Sequence, residues 1–508
     1  SARLWFAFHH LIIDTVSWRI LKEDLEALYK GHALPDKTSS YRQWVEAVAC
    51  YAKAHIDDIP YWQSQLADLP AYHNYKTQHQ SETSIELSAE LTDQLLHHVN
   101  AAYHTEINDL LLTALAYALR DWLGGDCHGV SLEGHGREMI DETVDVGRTV
   151  GWFTTIFPVK LGLGDDIGDS IAIIKESLRT IPEKGLGFSA LSQVNESLSM
   201  DALPPIVFNY LGQFGTSIGD NRDWSFVSES SGDAMDERES LQELLSINGG
   251  VMSDSLHLSI NACCVQEQLN DFRKVFEQRL VCIIQHCMNQ VESDQITFTK
   301  SDFPEVNLSP AWLSCFQEKM IHQSSCIQSI YAATSLQRGF IYHALSQQDD
   351  DAYCVQSVFD YHCLLDIKRY EQAWQSVLDQ SPGLRIGFNW DHDLLQVIYS
   401  DVKLDFTLLD LSQVEDSESM IQSYQKSERF KPFDLEKPPL FRLLLLKHSD
   451  AHFTVIDTSH HSIGDGWSRP LIMSRVHRYY HQLKSQPVIS VHEDRSYIEA
   501  QRYYASQE

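Results

Sequence analysis

Apolar positions recur along the chain with two spacings, near 3.6 and near 2, and their succession predicts alternating helices and strands. A helix is expected from about Arg19 to Tyr29, with Ile20, Leu21, Leu25 and Leu28 on one face, and a second helical region holds Trp44, Val45, Val48, Tyr61 and Trp62. SIELSAEL alternates like a strand running into a helix start. From Thr105 to Trp122 the leucine density predicts a core helix with Asp109 inside its first turns. GVSLEGHGREM, residues 129–139, reads as a strand end that breaks at two glycines. RTVGWFTTIFPVKL, Arg148 to Leu161, predicts an apolar strand with Gly151 and Pro158 as irregularities. A helix from about Ser170 to Ile181 and a strand in PPIVFNYLGQF, Pro204 to Phe214, come next, followed by a polar, irregular segment from Thr216 to Glu243. INGGVMSDSLHLSINACC predicts a hairpin, with Gly249 and Gly250 before one strand and Asp254-Ser255 at the turn. A helix from about Leu269 to Asn289 closes this half.

The pattern weakens from residue 299 to 328, where Pro304, Pro310 and a polar cluster around one short helix, Ala311 to Met320, read as an interdomain linker. A new periodic pattern starts at SIYAATSLQRGFIYHAL. It continues through a strand (Cys354 to Tyr361), a helix (Ile367 to Asp379), the turn SPGLRIGF, a strand at Leu395 to Tyr399 and the apolar run FKPFDLEKPPLFRLLLLK. A last helix carries Leu471, Ile472, Val476, Tyr479 and Leu483.

At 508 residues the chain exceeds one ordinary core and is expected to hold two to four domains or lobes. With 39 Lys plus Arg against 71 Asp plus Glu the formal charge is −32, which argues against nucleic acid or anionic membrane as the main partner. Ten cysteines without metal-like spacing fit reduced thiols in a cytoplasmic protein. No apolar run reaches the roughly 18 residues of a membrane span, and no secretory signal is present. The core-like start, Ser1 to Phe8, carries no Met and suggests a natural chain that extends upstream.

Candidate chemistry concentrates in one device used twice. LWFAFHHLIIDTVSW carries His9, His10, Asp14 and Trp18; HFTVIDTSHHSIGDGWS carries His460, His461, Asp465, Gly466 and Trp467, about 450 residues on. In each, an apolar strand delivers a histidine pair, then a turn, an Asp four residues after the second His, and a helix. Neighbouring strand side chains point to opposite faces, so one His of each pair looks into a given cavity, expected to be His10 and His461. Asp14 and Asp465 sit where a carboxylate caps a helix or pairs with an Arg, a structural task. His97 and His98 lack an Asp at the matching offset and read as structural.

Glu133, His135, Arg137 and Glu138 crowd six residues of EGHGRE, whose glycines permit tight backbone. A solvated turn with an internal ion pair and a site are both open readings. LGLGDDIGDS lacks the Lys and context of a phosphate loop. Ser255 is not read as a phosphopantetheine attachment site, because its surroundings alternate like strands.

Taken together, these motifs resemble nonribosomal peptide synthetase sequence of the condensation-domain superfamily over nearly the whole length. HHLIIDTVSW, NDLLLTALAYAL, EGHGRE, RTVGWFTTIFPVKL and FNYLGQ are similar, in order, to an epimerization domain; SLQRGFIYHAL, SPGLRIGF, FDLEKPPLFRLLLL and HHSIGDGWS resemble a condensation domain of the subtype that accepts a D-configured donor. The resemblance implies an α/β (α+β) fold of chloramphenicol-acetyltransferase-like lobes arranged as a V around a tunnel. It places an epimerization domain at 1–298 (end of its N-lobe 1–30, C-lobe 31–298), a linker at 299–328, and a truncated condensation N-lobe at 329–508.

The implied function is inversion of the α-carbon of an aminoacyl or peptidyl thioester and, with the complete second domain, condensation of that D-configured donor with the next amino acid. His10 and Glu133 are the expected acid/base pair flanking the α-carbon. Asn209 and Tyr210 are expected to line the tunnel or polarise the thioester carbonyl. His461 would position or deprotonate the acceptor amine, supported by His460, Asp465 and Gly466, with Asp465 expected to pair with Arg385. No cofactor or metal is expected in the segment itself; the substrate rides on the 4'-phosphopantetheine of partner carrier domains upstream and downstream, with adenylation domains in the same assembly line. Two other readings are a stand-alone acyltransferase of the superfamily and a catalytically silent docking or scaffold segment.

Overall fold

The computed structural model describes residues 4–72, 75–214, 243–323, 325–347, 352–391, 393–414, 416–486 and 490–507. They fall into two compact units, Ser1–Phe298 and Thr299–Glu508. The irregular segment expected at Thr216 to Glu243 lies, up to residue 242, outside the described residues.

The first unit is built on a six-stranded mixed sheet of β1 (Ser81–Glu86), β2 (Cys127–Gly134), β3 (Thr155–Gly162), β4 (Ile206–Phe214), β5 (Leu245–Met252) and β6 (Ser255–Ala262), ordered β1-β6-β5-β4-β2-β3. β4 runs parallel to both β2 and β5, and the other pairings are antiparallel. Burial alternates along β6 as period-2 patterning requires, with Leu256, Leu258 and Ile260 wholly buried, whereas the central β2 is buried continuously from His128 to Leu132. The helices Ile107–Leu123 and Gln266–Glu292 pack together and against this sheet, and their Leu111, Leu115, Leu280 and Ile284 are buried in one core with Val130 and Phe208. Asp109, on the first turn of the former helix, accepts the Glu106 backbone N–H at 2.7 Å and pairs with Arg179 at 2.7 Å.

Three expectations need correction here. β3 begins only at Thr155, because the backbone of residues 146–153 hydrogen-bonds to side chains of Asp14, Ser17 and Arg137 in place of a strand ladder. Gly249 and Gly250 lie inside β5, and the turn is Ser253-Asp254, both with positive φ (50° and 66°). A Cβ on Gly249 would sit 2.0 Å from the His257 carbonyl oxygen, so glycine there lets β6 approach. Lastly, residues 4–9, expected as a strand, run without a strand partner among the described residues.

In the second unit, β7 (Ile327–Ala332), β10 (Leu395–Tyr399) and β9 (Ile386–Asn389) form one antiparallel sheet. β11 (Phe406–Asp410), β12 (Phe441–Ser449), β13 (His452–His460) and β8 (Cys354–Tyr361) form another, in that spatial order. Residues 299–328 are not a bare spacer: the helix Pro310–His322 buries Leu313, Phe316 and Met320, and Lys319 reaches Glu436 at 3.0 Å within this unit. The tail SYIEAQRYY is a helix, Ser496–Ala505. No helix among the described residues is long and apolar enough to cross a membrane.

Candidate active sites

In the first unit, Asp14 caps the helix Thr15–Tyr29, accepting the Ser17 N–H at 2.7 Å. It is also the centre of a buried latch. Arg137 places Nη2 3.1 Å from both Asp14 oxygens and donates Nη1 to the carbonyls of Val146 and Thr149, with its guanidinium 3.9 Å over the Phe153 ring. Asp14 further accepts the Phe153 N–H, and the Ser17 hydroxyl bridges to Gly151. Gly136 makes the latch possible: its φ is +63°, and a Cβ would lie 1.7 Å from the Phe153 carbonyl oxygen. So EGHGRE, the motif with two open readings, supplies the arginine for the Asp of the first histidine motif.

The latch sets the turn in which His9 caps the short helix His10–Ile12, accepting the Leu11 N–H at 3.2 Å. His10 is exposed, edge-on to Trp152 with ring centroids 5.7 Å apart. Glu133, next to last in β2, follows Leu132, which is buried and pairs with Phe208 of β4, so Glu133 faces away from that core together with Asn209. Asn209 Nδ2 donates to Glu133 Oε2 at 2.7 Å. Burial pushes the Glu133 carboxyl upward, and the neighbouring His10 pulls it part of the way back. By its accessible surface, however, Glu133 is exposed, and solvent screens that push. The structure therefore brings His10, Glu133 and Asn209 into one neighbourhood. Tyr210 is placed differently: it packs against the sheet's core, its phenol pushed upward by burial. His135 is exposed and engages Glu138 at 3.1 Å.

The second histidine motif ends β13. His460 is buried, its Nδ1 2.7 Å from the Ser462 hydroxyl, and burial pushes its imidazole down to about 4, with His461 adding a smaller push the same way. It is a neutral structural histidine. His461 stacks on Phe340 with centroids 5.1 Å apart, and its Nδ1 lies 2.9 Å from the Gly464 carbonyl oxygen. A carbonyl only accepts, so Nδ1 carries the proton and Nε2 is the nitrogen left to act as a base. Asp465 is exposed, as is Gly466, and accepts from the Ser468 hydroxyl at 2.7 Å and the Ser468 N–H at 2.9 Å, which holds its carboxyl below the usual range. The expected Asp465–Arg385 pair is not formed. Arg385 is buried and pairs with Glu493 at 3.0 Å while donating to the Leu378 and Tyr399 carbonyls, so it ties strand ends together.

A family model described as "Condensation domain" matches residues 1–302 and 327–508. The chain belongs to the condensation-domain family. Its mixed α/β fold is that of the family. Curated relatives include Bacitracin synthase 3 of Bacillus licheniformis, 32% identical over 520 aligned residues and 97% of this chain. A linear gramicidin synthase of Brevibacillus parabrevis is 34% identical over 94% of this chain. The chain spans only 8% and 10% of those two proteins. The solved epimerization domain from the third module of tyrocidine synthetase B is 34% identical, covering 56% of this chain and 69% of that one with a TM-score of 0.49.

Within this condensation-family chain, sequence reasoning did not pair Arg137 with Asp14, nor place Trp152 against His10 or Phe340 against His461. The available signal was an Arg in a glycine-bent run, one of the two partners foreseen for the motif Asp.

Proposed function

We propose that this condensation-family chain is a segment of a nonribosomal peptide synthetase whose first unit inverts the α-carbon of a thioester-bound aminoacyl or peptidyl group. The observation that carries the reading is the placement of Glu133, held by Asn209, near His10. Inversion needs one group to take the α-proton and another to return a proton to the opposite face. An ionised Glu133 accepts the α-proton, the C–H electron pair moves into the thioester as an enolate, and a protonated His10 delivers a proton from the other side. The reverse direction exchanges the roles. Asn209 keeps one carboxylate oxygen engaged and fixes the direction of the other. The upward push on Glu133 makes it a better base than an ordinary surface carboxylate.

In the second unit, His461 presents Nε2 for an acceptor amine, and a complete domain would join that amine to the D-configured donor. Positioning contributes more there than proton transfer. The acyl groups are those carried on phosphopantetheine by upstream and downstream carrier domains, with adenylation domains loading them in a cytoplasmic assembly line that makes an antibiotic-like peptide. Glu133→Gln keeps the shape and removes the base. In the synthetase that contains this chain, it should cut α-inversion by about 10²–10⁴-fold. Inversion at the unmodified rate overturns the assignment.

A further inference from the structure

Where β8, β12 and β13 end together, at the opposite end of β13 from the histidine motif, three strands converge on a nitrogen- and oxygen-rich cluster. Asp360 and His362 are two apart at the end of β8, and His452 and Thr454 are two apart at the start of β13. Asp360 lies directly across from Thr454 in the antiparallel pairing. Cross-strand pairing and two-residue spacing put Asp360, His452 and Thr454 on one face of the sheet, and His362, one residue past the end of β8, lies beside His452. The register between β12 and β13 shifts at Lys447/Ser449, which leaves His448 as the irregular residue beside them.

One ligand atom from each of Asp360, His362 and His452 lies within 4.8 Å of the others. The His362 and His452 rings stack at 4.6 Å, and the His448 ring is 4.6 Å from that of His452. The carboxylate is oriented from behind. The hydroxyl of Thr454, a buried residue, donates to Asp360 Oδ1 at 2.6 Å, and with its one proton spent there it accepts from His448 Nε2 at 2.9 Å. A relay of that kind is how metal-binding carboxylates are held in direction.

We propose that Asp360, His362 and His452 bind one divalent transition-metal ion of the zinc class, with Thr454 and His448 as orienting residues, and that the ion fastens the end of β8 to the start of β13. Two imidazoles and one carboxylate are a zinc donor set that leaves a fourth position for water. Tetrahedral zinc requires donors about 3.3 Å apart at bond lengths of about 2 Å, so the atoms must close in by roughly 1.5 Å. Exposed Asp360 and His362 can do so by side-chain rotation alone. The site is independent of the proposed acyl chemistry.

The test uses the full chain stripped with a chelator and titrated with zinc chloride by calorimetry, with cobalt(II) as the spectroscopic probe. The expected result is one equivalent bound, a raised melting temperature, and a visible cobalt band free of thiolate charge transfer. His362→Ala with His452→Ala should lose that equivalent, as should the milder Asp360→Asn, whose folding is checked by circular dichroism. Thr454→Val should weaken binding by about 10–100-fold without changing the stoichiometry. Absence of a stoichiometric zinc site in the unmodified chain, or one retained undiminished in both ligand variants, overturns the proposal.

Discussion

Asp14 and Asp465 hold the same place in two copies of one motif but stand in opposite surroundings, so the same substitution should cost different amounts. Asp14 is 3% exposed and the Arg137 side chain 6%. Asp14→Ala removes the acceptor for Ser17 N–H, for Phe153 N–H and for the guanidinium at 3.1 Å, and leaves a buried cation without its partner. Removing one member of a buried pair costs about 3–5 kcal/mol, a range that takes in the helix cap. Among the described residues Asp465 has only its capping bonds, in solvent, and Asp465→Ala should cost about 1 kcal/mol. Urea unfolding of the full chain, resolved by hydrogen exchange of peptides from each unit, separates the two effects. Asp14→Ala with Arg137→Ala should fall short of the sum of the single losses by about 1–3 kcal/mol. An Asp14→Ala loss under about 1 kcal/mol, equal losses at Asp14 and Asp465, or an additive double variant would refute the latch.

Gly136→Ala meets the Phe153 carbonyl oxygen in a left-handed conformation and should destabilise the first unit by at least about 2 kcal/mol, read from the same exchange experiment. His460 titrates near 4 folded against 6.5 for an ordinary imidazole, so protonation favours unfolding. Stability of the second unit should be full above about pH 6.5 and fall by about 3 kcal/mol towards pH 4, with His460→Gln flattening that limb. Because the Glu133 carboxyl is raised above its ordinary 4.5, the acid limb of α-proton exchange should lie above that value; added salt, which screens the opposing pull of His10, should move it further up, and an acid limb below 4.5 would contradict the burial. His461→Ala should abolish amide formation in the complete synthetase and leave inversion intact, which product analysis by mass spectrometry reads directly.

Elements with a strong period were legible in the sequence. The strand at Cys354 to Tyr361 and the helix from Ile367 stand where the spacing put them, give or take a residue or two. What was not legible depended on partners far away in sequence. The stretch from Arg148 has strand composition, yet its first residues spend their backbone groups on Asp14, Ser17 and Arg137, more than a hundred positions distant for the first two. Arg385 has the residue type to pair with Asp465, but the carbonyls of Leu378 and Tyr399 and the carboxylate of Glu493 claim it. Strand alternation could have separated Asn209 from Tyr210, since adjacent residues face opposite ways. The metal-type cluster needed the cross-strand register of β8 with β13, which no local pattern encodes.

The central claim is that His10 and Glu133 address opposite faces of one α-carbon. The measurement that tests it most directly is deuterium exchange, in heavy water, from separately supplied L and D thioesters with Glu133→Gln and His10→Gln in the intact synthetase. Each variant should lose exchange from one stereoisomer and keep some from the other, and the two variants should do so with opposite selectivity. Loss of the same stereoisomer in both, or unchanged exchange of both stereoisomers in either, would contradict the account.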